Sequence, residues 1–165
     1  MHDLFWLVPG RLAGRAGPDR LPWKLEALRD AGVGAVLSVN DGRACDPEDF
    51  RALGLTYACV PLPSHAPPWT GDDRKCLSAL PLAYAFIEEQ AGLDRATMVH
   101  CSSGKDRTGM LLAYYLIRAR SLTVDAAMRE VRRIRPIAFT ATGWEALAED
   151  VLRRAARSAV TSGKW

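Results

Sequence analysis

The run His100-Cys101-Ser102-Ser103-Gly104-Lys105-Asp106-Arg107-Thr108-Gly109 puts a thiol, five intervening residues and a guanidinium into one short stretch. Those types at that spacing suit covalent chemistry on phosphate. Successive backbone N–H groups over Ser102 to Asp106 can curl around an anion. A helix starting just after them adds further N–H groups and the positive end of its dipole. Arg107 offers a planar fork for two phosphoryl oxygens. Cys101, in the middle of that positive field, is expected to serve as a thiolate nucleophile. In-line attack by sulfur, charge stabilisation by Arg107 and the loop amides, and hydrolysis of a cysteinyl-phosphate complete a turnover that requires neither metal nor other cofactor.

Ser102, Ser103, Gly104, Lys105, Asp106 and Thr108 are expected to form the substrate cradle. The Thr108 hydroxyl, at the helix start, is placed to hydrogen-bond the Cys101 sulfur. His100 points to the opposite side of its strand and is expected to fix the loop through carbonyls. The nucleotide-binding GxxxxGK[ST] pattern does not apply, because Asp106 follows Lys105 and no glycine stands five residues before Gly104.

The elements that must hold this loop alternate. Strands are expected at Phe5–Val8 and Arg11–Leu12 around the Pro9-Gly10 turn, at Ala35–Val39, at Thr56–Leu62 and at Thr97–His100. Leu21, Leu25 and Leu28 share a helical face that Gly32 ends. A short helix runs from Pro47 towards Gly54. After a proline-rich loop over residues 63–71 comes a helix with Leu77, Leu80, Tyr84 and Ile87 on one face, kinked or delayed by Pro81. Three helices finish the chain: Thr108–Arg118, one with Val124, Met128, Val131 and Ile134 on one face, and one with Trp144, Leu147, Val151 and Leu152. Thr161–Trp165 reads as a loose tail. This order predicts a three-layer α/β fold, a central, mainly parallel sheet flanked by helices. The loop then lies beyond the carboxyl ends of the strands, where such sheets bind ligands.

One domain over residues 1–165 is the reading its length favours. The 48% apolar content is ordinary, and the net charge of +3 favours anionic substrates only weakly. Cys45, Cys59, Cys76 and Cys101 show no zinc spacing, and no leader is recognised at the start, so a reducing, cytoplasmic setting and a monomer are expected. No stretch is long and apolar enough for a membrane span. Cys59 is expected to be a buried strand residue. Cys45 or Cys76 is a candidate to trap an oxidised Cys101 as a disulfide.

HCSSGKDRTG resembles the HCxxGxxR[ST]G loop of the cysteine-dependent protein tyrosine and dual-specificity phosphatases. Trp6–Gly14 and the run Arg132-Arg133-Ile134-Arg135-Pro136 look like stretches of the small atypical dual-specificity members. The resemblance implies a phosphatase fold, Cys101 as nucleophile and Arg107 as phosphate ligand. It also implies an aspartate general acid on a movable loop, about 30 residues before the cysteine. Aligned on its Pro67-Pro68 pair, that loop has Ser64 at the acid's position; counted back from Cys101, the position falls at Gly71, beside Asp72 and Asp73. Asp72 is the first choice and Asp73 the second. Asp106 is a third candidate, because some lipid-directed members carry GKDRTG, and His65 can donate a proton near neutral pH.

A phosphorylated protein or peptide is the expected substrate, with phosphotyrosine first and phosphoserine or phosphothreonine next. Lys105 would suit a second phosphate, as on a phosphoinositide or an RNA 5′ end. Arg129, Arg132, Arg133 and Arg135 either extend that field or form a solvated helix face. Trp69 is a lid or an anchor for its loop. A non-catalytic module that captures phosphorylated partners is the alternative class, motivated by Ser64.

Overall fold

The strand that feeds the cysteine is the middle of the molecule. In the computed structural model, which describes residues 3–162, β5 (Ala96–Cys101) is buried at all six positions, as a strand covered on both faces must be. It lies between β2 (Leu12–Ala16) and β3 (Val33–Ser38), both parallel to it. β4 (Thr56–Cys59) continues the parallel set beyond β3. β1 (Phe5–Val8) closes the other edge as an antiparallel hairpin on β2. The order is β1-β2-β5-β3-β4.

The two faces are unequal. α1 (Leu25–Asp30) and α2 (Pro47–Ala52) cover one side, where Leu28, Val33, Val36, Phe50, Leu55 and Met98 form a small core. The other side carries α3 (Asp72–Gly92), α4 (Arg107–Arg120), α5 (Val124–Ile134) and α6 (Trp144–Ser162) over a larger core built around α4. Every residue of α4 from Arg107 to Ile117 is buried, so this helix is enclosed by its neighbours and by the sheet. Alternation along β5 puts Met98 and His100 on the α1/α2 side and Val99 and Cys101 on the α4 side. A central, mainly parallel sheet flanked by helices is therefore the architecture, as expected.

Several boundaries differ from the sequence reading. β2 runs on to Ala16 because β5 offers it a parallel partner as far as Ala16↔Cys101. Leu21 lies outside α1, since the residue before a proline is disfavoured in helix and Pro22 follows. α3 starts at Asp72 and continues through Pro81. That proline is on the exposed side, while Cys76, Leu80, Ala83 and Ile87 are buried, so anchorage of the opposite face offsets the lost N–H bond. Cys59 is exposed rather than buried, because β4 is the edge strand and Cys59 is its last residue. α6 includes Thr161 and Ser162, where a loose tail was expected; the remainder of that tail lies outside the described residues. No helix among the described residues is long and apolar enough to cross a membrane.

Candidate active site

Six consecutive carbonyls, from Cys101 at the end of β5 to Asp106, are engaged by other groups. Cys101 O faces His100 Nδ1 at 3.4 Å. Ser102 O accepts the Gly17 N–H at 2.9 Å. Ser103 O and Gly104 O accept Arg135 Nη2 at 2.7 Å and Nε at 3.2 Å. Lys105 O and Asp106 O accept the Gly109 and Met110 N–H groups of α4. In a trans peptide the N–H points opposite the preceding carbonyl. Pinning these carbonyls outward therefore turns the N–H groups of Ser102 to Arg107 towards the inside of the curl, where an anion would sit. Gly104 permits the turn: its φ is +62°, and a Cβ there would lie 2.5 Å from the Arg15 carbonyl.

Inside the curl, Cys101 is 1% exposed, and Thr108 Oγ1 donates to its sulfur at 3.2 Å. Arg107 is held on two sides. Its Nε donates to Pro63 O at 2.6 Å, and its guanidinium lies over the Trp144 ring, 4.5 Å from the centroid. Trp144 is fully buried at the start of α6, and its Nε1 donates to His65 O at 2.8 Å. One indole thus joins the arginine to the proline-rich loop, a link the sequence did not signal because Trp144 read only as a core position.

Behind the loop is a network of the buried His100 and Ser38 with the half-buried Cys45. Ser38 Oγ lies 2.6 Å from His100 Nε2 and 2.8 Å from Tyr57 Oη. Cys45 Sγ lies 3.7 Å from the same Nε2. Burial lowers His100 to about 4, so the ring is neutral at pH 7 and has one N–H. A single relay satisfies the set: Tyr57 donates to Ser38, Ser38 to Nε2, and Nδ1–H to Cys101 O. The histidine fixes the loop carbonyl, as its side of the strand implied. Burial raises the Cys45 thiol above its ordinary value and pushes Cys76 up to about 12. Cys76 shares the α4-side core with Cys101, whereas Cys45 lies across the strand beside His100.

The candidate acids are placed differently from one another. Asp72 is 0% exposed. Its Oδ2 accepts the Trp69 N–H at 2.8 Å and lies 3.2 Å from His65 Nδ1, while Lys75 Nζ is 3.6 Å from Oδ1. Burial pushes this carboxyl up, but the Trp69 N–H, His65 and Lys75 together hold it below the ordinary value. Asp73 pairs with Arg154 at 2.7 Å. Asp106 Oδ1 accepts the Ala141 N–H at 3.1 Å. Lys105 Nζ donates to Thr140 Oγ1 at 3.1 Å, so two cradle side chains tie the loop to the segment before α6. Trp69 is 65% exposed and stacks on His65, centroids 3.3 Å apart.

The arginine run divides. Arg132 pairs with Glu145 and Arg133 with Glu130, whereas Arg135 is the clamp on Ser103 and Gly104. Arg135→Ala should lower kcat/KM for an aryl phosphate by roughly 10–100-fold, the scale of losing charge-assisted hydrogen bonds. Arg135→Lys should recover only part of this, since an ammonium cannot reproduce the two-pronged contact. Steady-state kinetics beside a phosphate-binding titration would check this; unchanged phosphate affinity in Arg135→Ala would refute the clamp.

A parallel α/β sheet ending in a CxxGxxR curl, with its cysteine and arginine so held, defines a cysteine-dependent phosphatase. The dual specificity phosphatase catalytic domain family matches residues 26–149, and the chain belongs to that family. It is 32% identical to phosphatidylglycerophosphate phosphatase PTPMT2 of Arabidopsis thaliana over 113 residues, 66% of this chain and 46% of that protein. It is 30% identical to dual specificity protein phosphatase 12 of Rattus norvegicus over 139 residues, 84% of this chain and 37% of that protein. The chain thus spans less than half the length of these curated relatives. Among solved structures, human DUSP28 superposes with a TM-score of 0.71 at 22% identity, covering 93% of this chain and 95% of that one. PTPMT1 in complex with PI(5)P gives 0.72 at 16% identity, covering 95% and 99%. These two likenesses establish the fold. The chain therefore carries a dual-specificity-type phosphatase catalytic domain.

Proposed function

We propose that this protein hydrolyses phosphotyrosine, and to a lesser extent phosphoserine or phosphothreonine, in proteins or peptides, through a cysteinyl-phosphate on Cys101. The supporting observation is the curl of inward N–H groups around a sulfur that already accepts the Thr108 hydroxyl. The Cys101 thiolate attacks phosphorus. Arg107 and the N–H groups of Ser102, Ser103, Gly104, Lys105, Asp106 and Arg107 hold the equatorial oxygens. Thr108 stabilises the thiolate when water later displaces it. Asp72 and His65 together form the proton-donor side, on the loop that Arg107 and Trp144 anchor. The sequence stretches that resemble small atypical members such as dual-specificity phosphatase 23 support a substrate site made by one compact domain. A monomer acting in the cytoplasm fits a site built within one chain and the four free thiols.

A second reading, a phosphoinositide or related lipid phosphate as substrate, is favoured by the names of two relatives, one a phosphatidylglycerophosphate phosphatase and one seen with PI(5)P. Against it, Arg132 and Arg133 are paired with glutamates, so these two add little to the positive field for a second phosphate. A panel of phosphotyrosyl, phosphoseryl, phosphoinositide and 5′-triphosphate RNA substrates decides between them. The expected result is the highest kcat/KM on phosphotyrosyl peptide, retained in chelator; a higher value on the lipid or RNA would overturn the proposal.

A further inference from the structure

We infer that His65 is the proton donor to the leaving oxygen and that Asp72 is the residue that orients it, an assignment that rests on the phosphatase reading above. The backbone on both sides of Ser64 is fixed to the phosphate-binding arginine. Pro63 O accepts Arg107 Nε at 2.6 Å, and His65 O accepts the indole N–H of Trp144, the ring over which Arg107 lies. This places residue 65 beside the catalytic loop without any closing motion. Aligned on the Pro67-Pro68 pair, the position of the usual aspartate holds Ser64, whose hydroxyl is no acid at neutral pH.

The nearby carboxylates are committed elsewhere. Asp73 is paired with Arg154, and Asp106 accepts the Ala141 N–H. Asp72 is fully buried, its Oδ2 shared between the Trp69 N–H and His65 Nδ1. A carboxylate bonded to one imidazole nitrogen selects the tautomer and leaves the other nitrogen for chemistry. The His65 side chain is 26% exposed, so its Nε2 is the end that can meet a substrate. Trp69 stacks on the ring at 3.3 Å and 10° between planes, which restricts its rotation. The charged groups near this ring are Asp72 at 3.2 Å, Lys75 at 3.6 Å from Asp72, and Arg107, which lies over the Trp144 ring.

The proton balance closes. As the S–P bond forms and the P–O bond breaks, the leaving oxygen takes the proton from His65 Nε2. The neutral ring then takes a proton from the water that attacks phosphorus, the S–P bond breaks, and thiolate, imidazolium and inorganic phosphate are restored.

The experiment compares wild type, His65→Gln, His65→Asp and Asp72→Asn on p-nitrophenyl phosphate and on phenyl phosphate across pH. Because the proton matters most for a basic leaving group, His65→Gln should lose roughly 10²–10⁴-fold in kcat/KM on phenyl phosphate and distinctly less on p-nitrophenyl phosphate. It should also lose the basic limb of the pH profile. Asp72→Asn weakens the contact that orients the ring, so its basic limb should persist while kcat/KM on phenyl phosphate falls. His65→Asp should restore a limb in the carboxylic-acid range. A basic limb that survives in His65→Gln and vanishes in Asp72→Asn would overturn the assignment and make Asp72 the donor. A limb intact in both would overturn it in favour of Asp106. Phosphate binding by His65→Gln establishes that the variant is folded. A folded wild type that turns over neither ester would instead overturn the phosphatase reading itself.

Discussion

Cys101→Ser is expected to abolish turnover, with a loss of roughly 10⁶-fold in kcat, the scale seen when an enzyme's nucleophile is removed. A serine hydroxyl at this position keeps the volume and the Thr108 contact but has no thiolate form. The N–H curl is fixed by six carbonyl bonds that do not involve the sulfur. Phosphate or vanadate should therefore still bind, and a phosphotyrosyl peptide should be retained without being hydrolysed. The control is Cys59→Ser, at an exposed residue on the edge strand, which should turn over like wild type. Hydrolysis by Cys101→Ser within tenfold of wild type would refute the nucleophile assignment. Trapping of peptide by the variant, beside rapid turnover by wild type, would also remove the pure binding-module alternative.

The second large effect is at Arg107. Arg107→Lys is expected to lower kcat/KM by roughly 10³–10⁵-fold, the contribution of a transition-state arginine to phosphoryl transfer. Lysine keeps the charge but loses three geometric features at once. It has no Nε to donate to Pro63 O, no planar group to lie over Trp144, and no fork for two oxygens. The first two losses also release the proline-rich loop. The variant should therefore lose more on phenyl phosphate, which needs the loop's proton donor, than on p-nitrophenyl phosphate. A lysine variant within tenfold of wild type on both esters would show that charge alone suffices and would remove the coupling drawn through Trp144.

The local arrangement was legible because it is local. Cys101, Arg107 and Thr108 lie within eight residues, so strand, turn and helix fix their spacing with little help from the rest of the chain. His100 was readable for the same reason, since alternation along a strand settles which side it takes. The proline-rich loop was legible as a loop, but the arrangement of its acids was not. Asp72 and Asp73 are neighbours in sequence, yet one is buried against His65 and Trp69 and the other meets Arg154 from α6. That difference depends on how α3 and α6 pack, and periodicity carries no such information.

By itself the sequence determined the parallel α/β architecture, and the placement of the Cys101-to-Arg107 curl at a strand's carboxyl end. Each of these follows from spacings shorter than one element and from hydrophobic period. Only the tertiary structure decided which distant groups complete the site. Arg135 clamps carbonyls 31 and 32 residues away in sequence, Arg107 reaches back 44 to Pro63 O, and Trp144 reaches back 79 to His65 O. Those partners meet because α3, α5 and α6 pack their apolar faces around the enclosed α4 on one side of the sheet. Their side chains then satisfy polar groups that burial would otherwise leave unpaired.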